Sequence, residues 1–546
     1  MRRATLPLLA SLVFICGGLA AEGTVAVDLS GSLDLRPGAP LFHHPELSRH
    51  EATAHLRNAM RSPESTVFLD LSGFSGSLAT AEELATTLRA ERTANPGKKV
   101  IALIDGADNA TLILAAAVDE VVMPEAGLLS VSGLNLESYY FADALAKAGV
   151  RFHAVASGEH KTAHEPFTRN APSATGAQEL RDLANDLDQE ITALSAKPGL
   201  SVQDILAIRA KSPQTSVIAK AGNLVDVVAE PGAWRNALPQ PMRWMGEVES
   251  GKNSPKDLAG LLHLIQTLLG GDAPAHHPKA VAVVDLAGED NANLIDDLAE
   301  DDHIIAVVLR IDSPGGSASA SDRIHHAVRR LKAKKPVVAL FDQVAASGGY
   351  YIGCAADEIL VHRTTITGSI GVFALVPDGS ATLDLLGIKR FAVSTGPRAD
   401  LESLTAPFTP ERQAALQQVI SDVDARFLGL VAETRKLSLE RVKELAGGRV
   451  YTGPQAVANG LADGFGTLGT AVASARHRAG EDDPLPVERY PEHKGLLQRL
   501  GLGGVHVLAG ELLPEGLARQ GQRLQRLTHQ RTLVVQAWAN VPDAMR

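Results

Sequence analysis

Residues Gly149–Gly158 read GVRFHAVASG, and residues Gly387–Gly396, 238 positions on (387 − 149), read GIKRFAVSTG. Four further anchors recur in the same order. Val27–Gly31 resembles Val284–Gly288, and Val67-Phe68-Leu69-Asp70 matches Leu309-Arg310-Ile311-Asp312. Ala117–Glu120 matches Ala355–Glu358, and Leu224-Val225-Asp226 matches Leu461-Ala462-Asp463. A period this long exceeds the roughly 20–50 residues of a solenoid unit, so the chain carries two whole copies of one domain. The copies differ at two chemically loaded places. The first runs on into Lys161, whereas the second has no lysine between Lys389 and Lys436. The second carries Ala345-Ala346-Ser347-Gly348-Gly349, whereas the first has no serine between Ser77 and Ser130. Complementary losses of this kind predict one active site divided between two folds.

Both copies alternate short β-rich runs with helical patterns, which predicts α/β layers. Strands are expected at Val67–Leu71, Val100–Ile104 and Phe152–Ala156, and again at Ile304–Ile311, Val337–Phe341 and Arg390–Val393. Helices are expected at Ala79–Arg92, Thr111–Val118, Leu136–Ala148 and Leu180–Leu194. In the second copy they fall near Ala320–Lys332, Gly348–Ala356 and Pro410–Thr434. The resulting domain plan is a leader at 1–21, a lysine-bearing domain at 22–235 and a linker at 236–278. A serine-bearing domain at 279–480 and an extension at 481–546 complete it. Apolar or amphipathic helices are expected within the linker (Leu258–Leu269) and the extension (Gln498–Gln530).

The 546 residues suffice for several cores, and 45% hydrophobic with 21% charged residues is ordinary globular composition. A net charge of −11, with no basic stripe, argues against nucleic acid as a partner. Met1-Arg2-Arg3, the uncharged run Ala4–Ala21 and the small residues before Glu22 read as a secretory signal or an uncleaved membrane anchor. An exported or inner-membrane-anchored protein follows, with the membrane as a contact through this segment. If the leader is removed, Cys354 alone remains of the two cysteines, so no internal disulfide can form. No HExxH or Cys/His cluster suggests a metal, and no P-loop or GxGxxG suggests a nucleotide cofactor.

Three small-residue loops and one lysine segment carry the candidate chemistry. Ser347 falls where a strand gives way to a helical pattern, a turn that projects a hydroxyl out of the layer. Gly348-Gly349 then allow a substrate backbone to come close, and their N–H groups can face a developing oxyanion. Asp312-Ser313-Pro314-Gly315-Gly316-Ser317 ends another strand; its glycines can turn N–H groups into a cleft, although a plain loop with Ser317 as helix cap reads equally well. Thr367-Gly368-Ser369-Ile370-Gly371 is a third such loop. Lys161 lies in GEHKTAHEPF (158–167), where a surface lysine is the default expectation.

Taken as a set, LRIDSPGGS, VAASGGYYIGCAADEI, TGSIGVF and GRVYTGPQAVANGLAD resemble the signal peptide peptidase (protease IV) family in order and spacing. GEHKTAHEPF resembles the lysine motif of its long, two-domain members. The resemblance implies two tandem crotonase/ClpP-like α/β domains and a serine endopeptidase with a Ser/Lys dyad, acting on cleaved signal peptides and other apolar peptides. It implies Ser347 as nucleophile, Lys161 as general base, Ser369 orienting the lysine, and the Gly316 and Gly348 N–H groups as oxyanion hole. It also implies a homo-oligomer, a tetramer, and no cofactor. The chain departs from the family at His160, where tyrosine is common, and in the first copy, where Asp108-Asn109 lie near the position matching Ser347.

A lysine can serve as base only when neutral, so its pKa must fall far below about 10.4. Burial does this by penalising the ammonium. Lys161 is therefore expected to be desolvated and free of a carboxylate at ion-pair distance, with Glu159 and Glu165 pointing elsewhere. Rival readings are a Ser-His-Asp triad drawn from the 18 histidines, an acyl-CoA hydratase or isomerase on the same fold, and an inactive scaffold.

Overall fold

The computed structural model describes residues 21–33, 47–246, 279–287, 291–396, 398–401 and 403–490. Most of the leader and the helices expected at Leu258–Leu269 and Gln498–Gln530 lie outside these. Among the described residues no helix is long and apolar enough to cross a membrane.

Two sheets of the same strand order form the cores of the two halves. In the first half the order is Met242–Trp244, Ala21–Asp28, Glu64–Asp70, Lys99–Leu103, Glu120–Met123, Val227–Val228, every pair parallel. In the second half the matching strands are Val487–Tyr490, Ala280–Leu286, Ile304–Ser313, Val337–Ala346, Glu358–Val361 and Gly464–Phe465, again parallel. Each half adds a small turned-up edge of the same build. Gly106–Ala107, Leu128–Leu129 and Gln214–Thr215 form it in one; the end of Val337–Ala346, Ile366–Gly368 and Val450–Thr452 form it in the other. Two sheets with one strand order are the internal duplication read from the sequence, now seen in three dimensions.

The recurring acidic anchors have a common task. Asp119 accepts from the Val100 N–H at 2.8 Å, and Asp357 accepts from Val337 N–H at 2.9 Å. Asp226 accepts from Val121 N–H, and Asp463 from Ile359 N–H, both at 2.7 Å. Each carboxylate satisfies a backbone donor at the start of a strand, which burial would otherwise leave unpaired. The central strands themselves are apolar on both faces because helices cover both sides of a parallel sheet. Val337–Phe341 and Val67–Leu69 are wholly buried as a result.

The element plan differs from expectation at identifiable places. Met242–Trp244 of the expected linker adds a strand beside Ala21–Asp28, and Val487–Tyr490 of the expected extension adds one beside Ala280–Leu286. Only Ala142–Lys147 of the expected Leu136–Ala148 helix is helical. Arg390–Val393 is exposed coil, although its copy Arg151–Ala156 is a strand. That strand pairs antiparallel with Phe373–Asp378 and thereby stitches the two halves together.

Candidate active site

The Val337–Ala346 strand leads without any loop into Ser347, which opens the Gly348–Gly353 helix. Ser347 has φ 53° and ψ −115°, a conformation that side chains rarely occupy. Its N–H donates to Gly368 O at 2.8 Å, and its own carbonyl accepts from Tyr351. The surrounding hydrogen bonds hold the residue in a strained turn that aims its hydroxyl away from the sheet.

Ile304–Ser313, the neighbouring strand, ends in the Pro314–Ser317 loop. Asp312 joins the two strand ends by accepting from Val344 N–H at 3.1 Å. Burial, with Asp342 close by, pushes the Asp312 carboxyl up to about 6. Gly315, at φ +106°, packs its Cα against the Ser347–Gly348 backbone, where a Cβ would meet Gly348 N at 2.7 Å. Gly316 faces open space, and no carbonyl of the described residues accepts from the Gly316 or Gly348 N–H. Ser317 caps the following helix by accepting from Ala320 N–H, which is its structural task.

Lys161 reaches this place from the other half of the chain. Its backbone follows the Arg151–Ala156 strand, and three contacts hold the segment down. Ser157 N–H donates to Val372 O, His160 N–H donates to Gly447 O, and Gly448 lies directly beneath the Lys161 backbone. Lys161 Nζ stands 3.1 Å from Ser347 Oγ, 2.9 Å from Ser369 Oγ and 2.7 Å from Ser369 O. A neutral amine has two N–H donors and one lone pair. It can donate to both Ser369 oxygens and accept from the Ser347 hydroxyl, which accounts for all three contacts. Ser369 is itself fixed at φ 50° by donating its N–H to Arg449 O.

Only 3% of Lys161 is exposed, and among the described residues no carboxylate lies within ion-pair distance of its amine. Burial lowers its pKa to about 7, against the opposing pull of the Asp424 carboxylate. Glu165 is turned away and accepts from Ser173 N–H, while Glu159 is exposed beside His160. His160 lies between Glu179 (2.8 Å from Nδ1) and Arg449 (3.2 Å from Nε2), beside the lysine without touching the serine. Asp424, on the Pro410–Arg435 helix, had no sequence signal, since a carboxylate in an amphipathic helix reads as a solvated face. Burial pushes its pKa up, while Ser157 and Lys161 pull it down.

The five residues singled out in the sequence thus converge on one place, and among the described residues no histidine hydrogen-bonds to Ser347. His325 is wholly buried with Nδ1 2.8 Å from Tyr351 O, and His362 lies among Asp342 and Glu83. Cys354 is a buried packing thiol that burial pushes up to about 12.

A serine hydroxyl held against a buried amine, beside two unengaged N–H groups, belongs to the serine hydrolases. The chain is a member of Peptidase family S49, whose model matches residues 92–239 and again 329–481, once in each half. It is similar to Protease 4 of Salmonella typhi, at 28% identity over 84% of this chain and 79% of that protein. It is also similar to Protease 4 of Haemophilus influenzae, at 30% identity over 72% and 67% respectively. With the chloroplastic serine protease SPPA of Arabidopsis thaliana it shares 25% identity over 70% of this chain and 59% of that one. The protein is therefore a serine peptidase with two tandem α/β domains of one strand order.

Proposed function

We propose that the chain is an endopeptidase in which Ser347 attacks the scissile carbonyl and Lys161 takes the serine proton. The observation that carries this reading is the 3.1 Å contact between Ser347 Oγ and a lysine amine that is buried and without an ion pair. In the first step the Oγ–C bond forms as the proton passes to Nζ, and the carbonyl oxygen becomes an oxyanion. The Gly316 and Gly348 N–H groups receive that charge, an interaction formed fully only in the transition state. As the tetrahedral intermediate collapses, the ammonium returns its proton to the leaving amine and an acyl-serine remains. Water, deprotonated by the same lysine, then releases the second product and restores Ser347. Throughout, Ser369 holds the lysine on line through its hydroxyl and carbonyl.

Cleaved signal peptides and other apolar peptides are the proposed substrates, which the Protease 4 and SPPA relatives support. The basic-then-apolar N-terminus would place the enzyme outside the cytoplasm, either released or held at the inner membrane. The substrate would lie extended along the glycine-rich loops and bind through its main chain. A homo-oligomer, of tetrameric size, would shield the cleft from folded proteins.

The test is digestion of an apolar signal-peptide sequence, followed by mass spectrometry, with wild type, Ser347→Ala and Lys161→Ala. Wild type should cut within the apolar stretch, and both variants should be folded and inactive. A folded wild type that cuts no peptide would overturn the reading in favour of a scaffold.

A further inference from the structure

The lysine segment and the Ser369 turn are both registered on one short loop, Gly447-Gly448-Arg449, between the Leu439–Leu445 helix and the Val450–Thr452 strand. Gly447 O accepts from His160 N–H at 3.1 Å, Gly448 N–H donates to Ile370 O at 2.8 Å, and Arg449 O accepts from Ser369 N–H at 2.7 Å. Lys161 comes from one half and Ser369 from the other, so the loop sets the spacing between them. Two of its three residues are glycines at positive φ, 72° and 96°. Glycine backbone has many conformations of similar energy, so this loop needs a tie beyond its own hydrogen bonds.

The ring of His160 supplies that tie. Its Nε2 lies 3.2 Å from an Arg449 guanidinium nitrogen, and its Nδ1 lies 2.8 Å from Glu179 Oε1. Glu179 belongs to the Ala174–Leu194 helix of the first half, so the ring joins three segments. A guanidinium only donates, so Nε2 accepts and carries no proton. Nδ1 then bears the proton and presents it to the carboxylate. Both Nδ1 and Glu179 Oε1 are buried, and neither has another hydrogen-bond partner among the described residues. The surroundings thus select one form of the ring, neutral and protonated on Nδ1. Burial raises the Glu179 pKa, and His160 and Arg449 pull against it. Glu159 is exposed and farther from Nε2, at 3.5 Å.

We propose that His160 is a positioning residue for the peptidase reaction. As the neutral bridge between Glu179 and Arg449 it fixes the Gly447–Arg449 loop, and through that loop the geometry of Lys161 against Ser369. This is the position at which the chain departs from its family, and it carries here a ring with its donor and its acceptor on separate atoms. The ring makes no hydrogen bond to Ser347, so its effect falls on proton transfer by the lysine and not on the binding of substrate. The inference rests on the Ser/Lys reading of the site.

Steady-state kinetics on an apolar signal-peptide sequence test it, with wild type, His160→Phe, Arg449→Ala, the double variant, and Lys161→Ala as the reference for a lost base. His160→Phe keeps a ring but neither nitrogen. Arg449→Ala trims an exposed side chain and leaves the carbonyl that holds Ser369, so it reads the same link in a folded protein. Misplacement of the amine by tenths of an ångström should lower kcat by about tenfold in each single variant, with KM unchanged. Because both changes cut one link, the double variant should lose no more than His160→Phe alone. Losses that multiply in the double variant, a loss carried by KM, or a wild-type kcat in Arg449→Ala would overturn the proposal. Activity retained in Lys161→Ala would overturn the Ser/Lys reading itself, and the proposal with it.

Discussion

Arg49 and Asp342 meet 2.7 Å apart in the seam between the two halves, with 3% and 0% of their side chains exposed. Glu83 lies 3.5 Å from the same guanidinium, Arg310 holds the other Asp342 oxygen, and His362 is 3.8 Å away. Burial works against the Asp342 charge, but Arg49 and Arg310 hold its pKa well below the usual carboxylate range. Asp342 lies on the strand that runs into Ser347, so this pair couples the first half to that strand. Glu82 adds to the seam by accepting from the Arg363 and Thr364 N–H groups.

Removing one partner of a buried pair leaves the other charge uncompensated, at a cost of roughly 3–5 kcal/mol. Arg49→Ala should therefore lower the unfolding free energy by that order. The depressed Asp342 pKa contributes stability above the unfolded carboxylate range and loses it as pH falls. Chemical denaturation at pH 7 and pH 4 checks both points. An Arg49→Ala protein as stable as wild type at pH 7 would contradict the role given to the pair.

Gly448 supplies the floor of the lysine segment. It sits at φ +96°, and a Cβ there would overlap the Lys161 backbone. Gly448→Ala should displace the amine by a fraction of an ångström to an ångström, and such misplacement can cost about a hundredfold in rate. Circular dichroism should show the fold retained while peptide hydrolysis falls by that order. Unchanged hydrolysis would show that the clamp is not needed.

A lysine buried without an ion pair destabilises the folded chain at neutral pH. Its folded pKa of about 7 lies below the unfolded value, so the unfolded chain binds the extra proton between the two. Stability should rise with pH across that window, at about 1.4 kcal/mol for each pH unit. Lys161→Met should therefore be inactive yet more stable than wild type at pH 7, with the difference shrinking toward pH 10. Thermal melts across that range measure it, and a variant less stable than wild type throughout would oppose the account.

The Asp424 carboxylate favours the ammonium form of Lys161. In Asp424→Asn that pull is lost and the amine should become neutral at lower pH. The acidic limb of the rate profile should shift down by several tenths of a pH unit, with the plateau rate similar. A shift upward would mean that Asp424 acts on the lysine in another way.

The duplication, the strand cores and the five candidate residues that the fold brings together each leave a local signal, an apolar run, a glycine pair or a motif. The complementary losses of the repeat pointed to Ser347 and Lys161 as halves of one site, but their roles came only through the resemblance, since 186 residues separate them and no spacing encodes their 3.1 Å contact. Strands such as Met242–Trp244 and Val487–Tyr490 are short and sit at sheet edges, where few residues carry a pattern. Arg390–Val393 has strand-like residues, but a strand needs a neighbour, and among the described residues none pairs with it. The seam of Arg49, Glu83 and Asp342 was invisible for the converse reason. Charged residues read as surface until the fold brings their partners to them.

The pH dependence of kcat/KM for an apolar peptide tests the central claim, that a neutral lysine from one half activates the serine of the other. The account predicts a rate that rises with pH through a midpoint near 7, and a rate lost at every pH in Lys161→Ala. A wild-type midpoint near the ordinary lysine value, or a Lys161→Ala enzyme that retains the same profile, would contradict it.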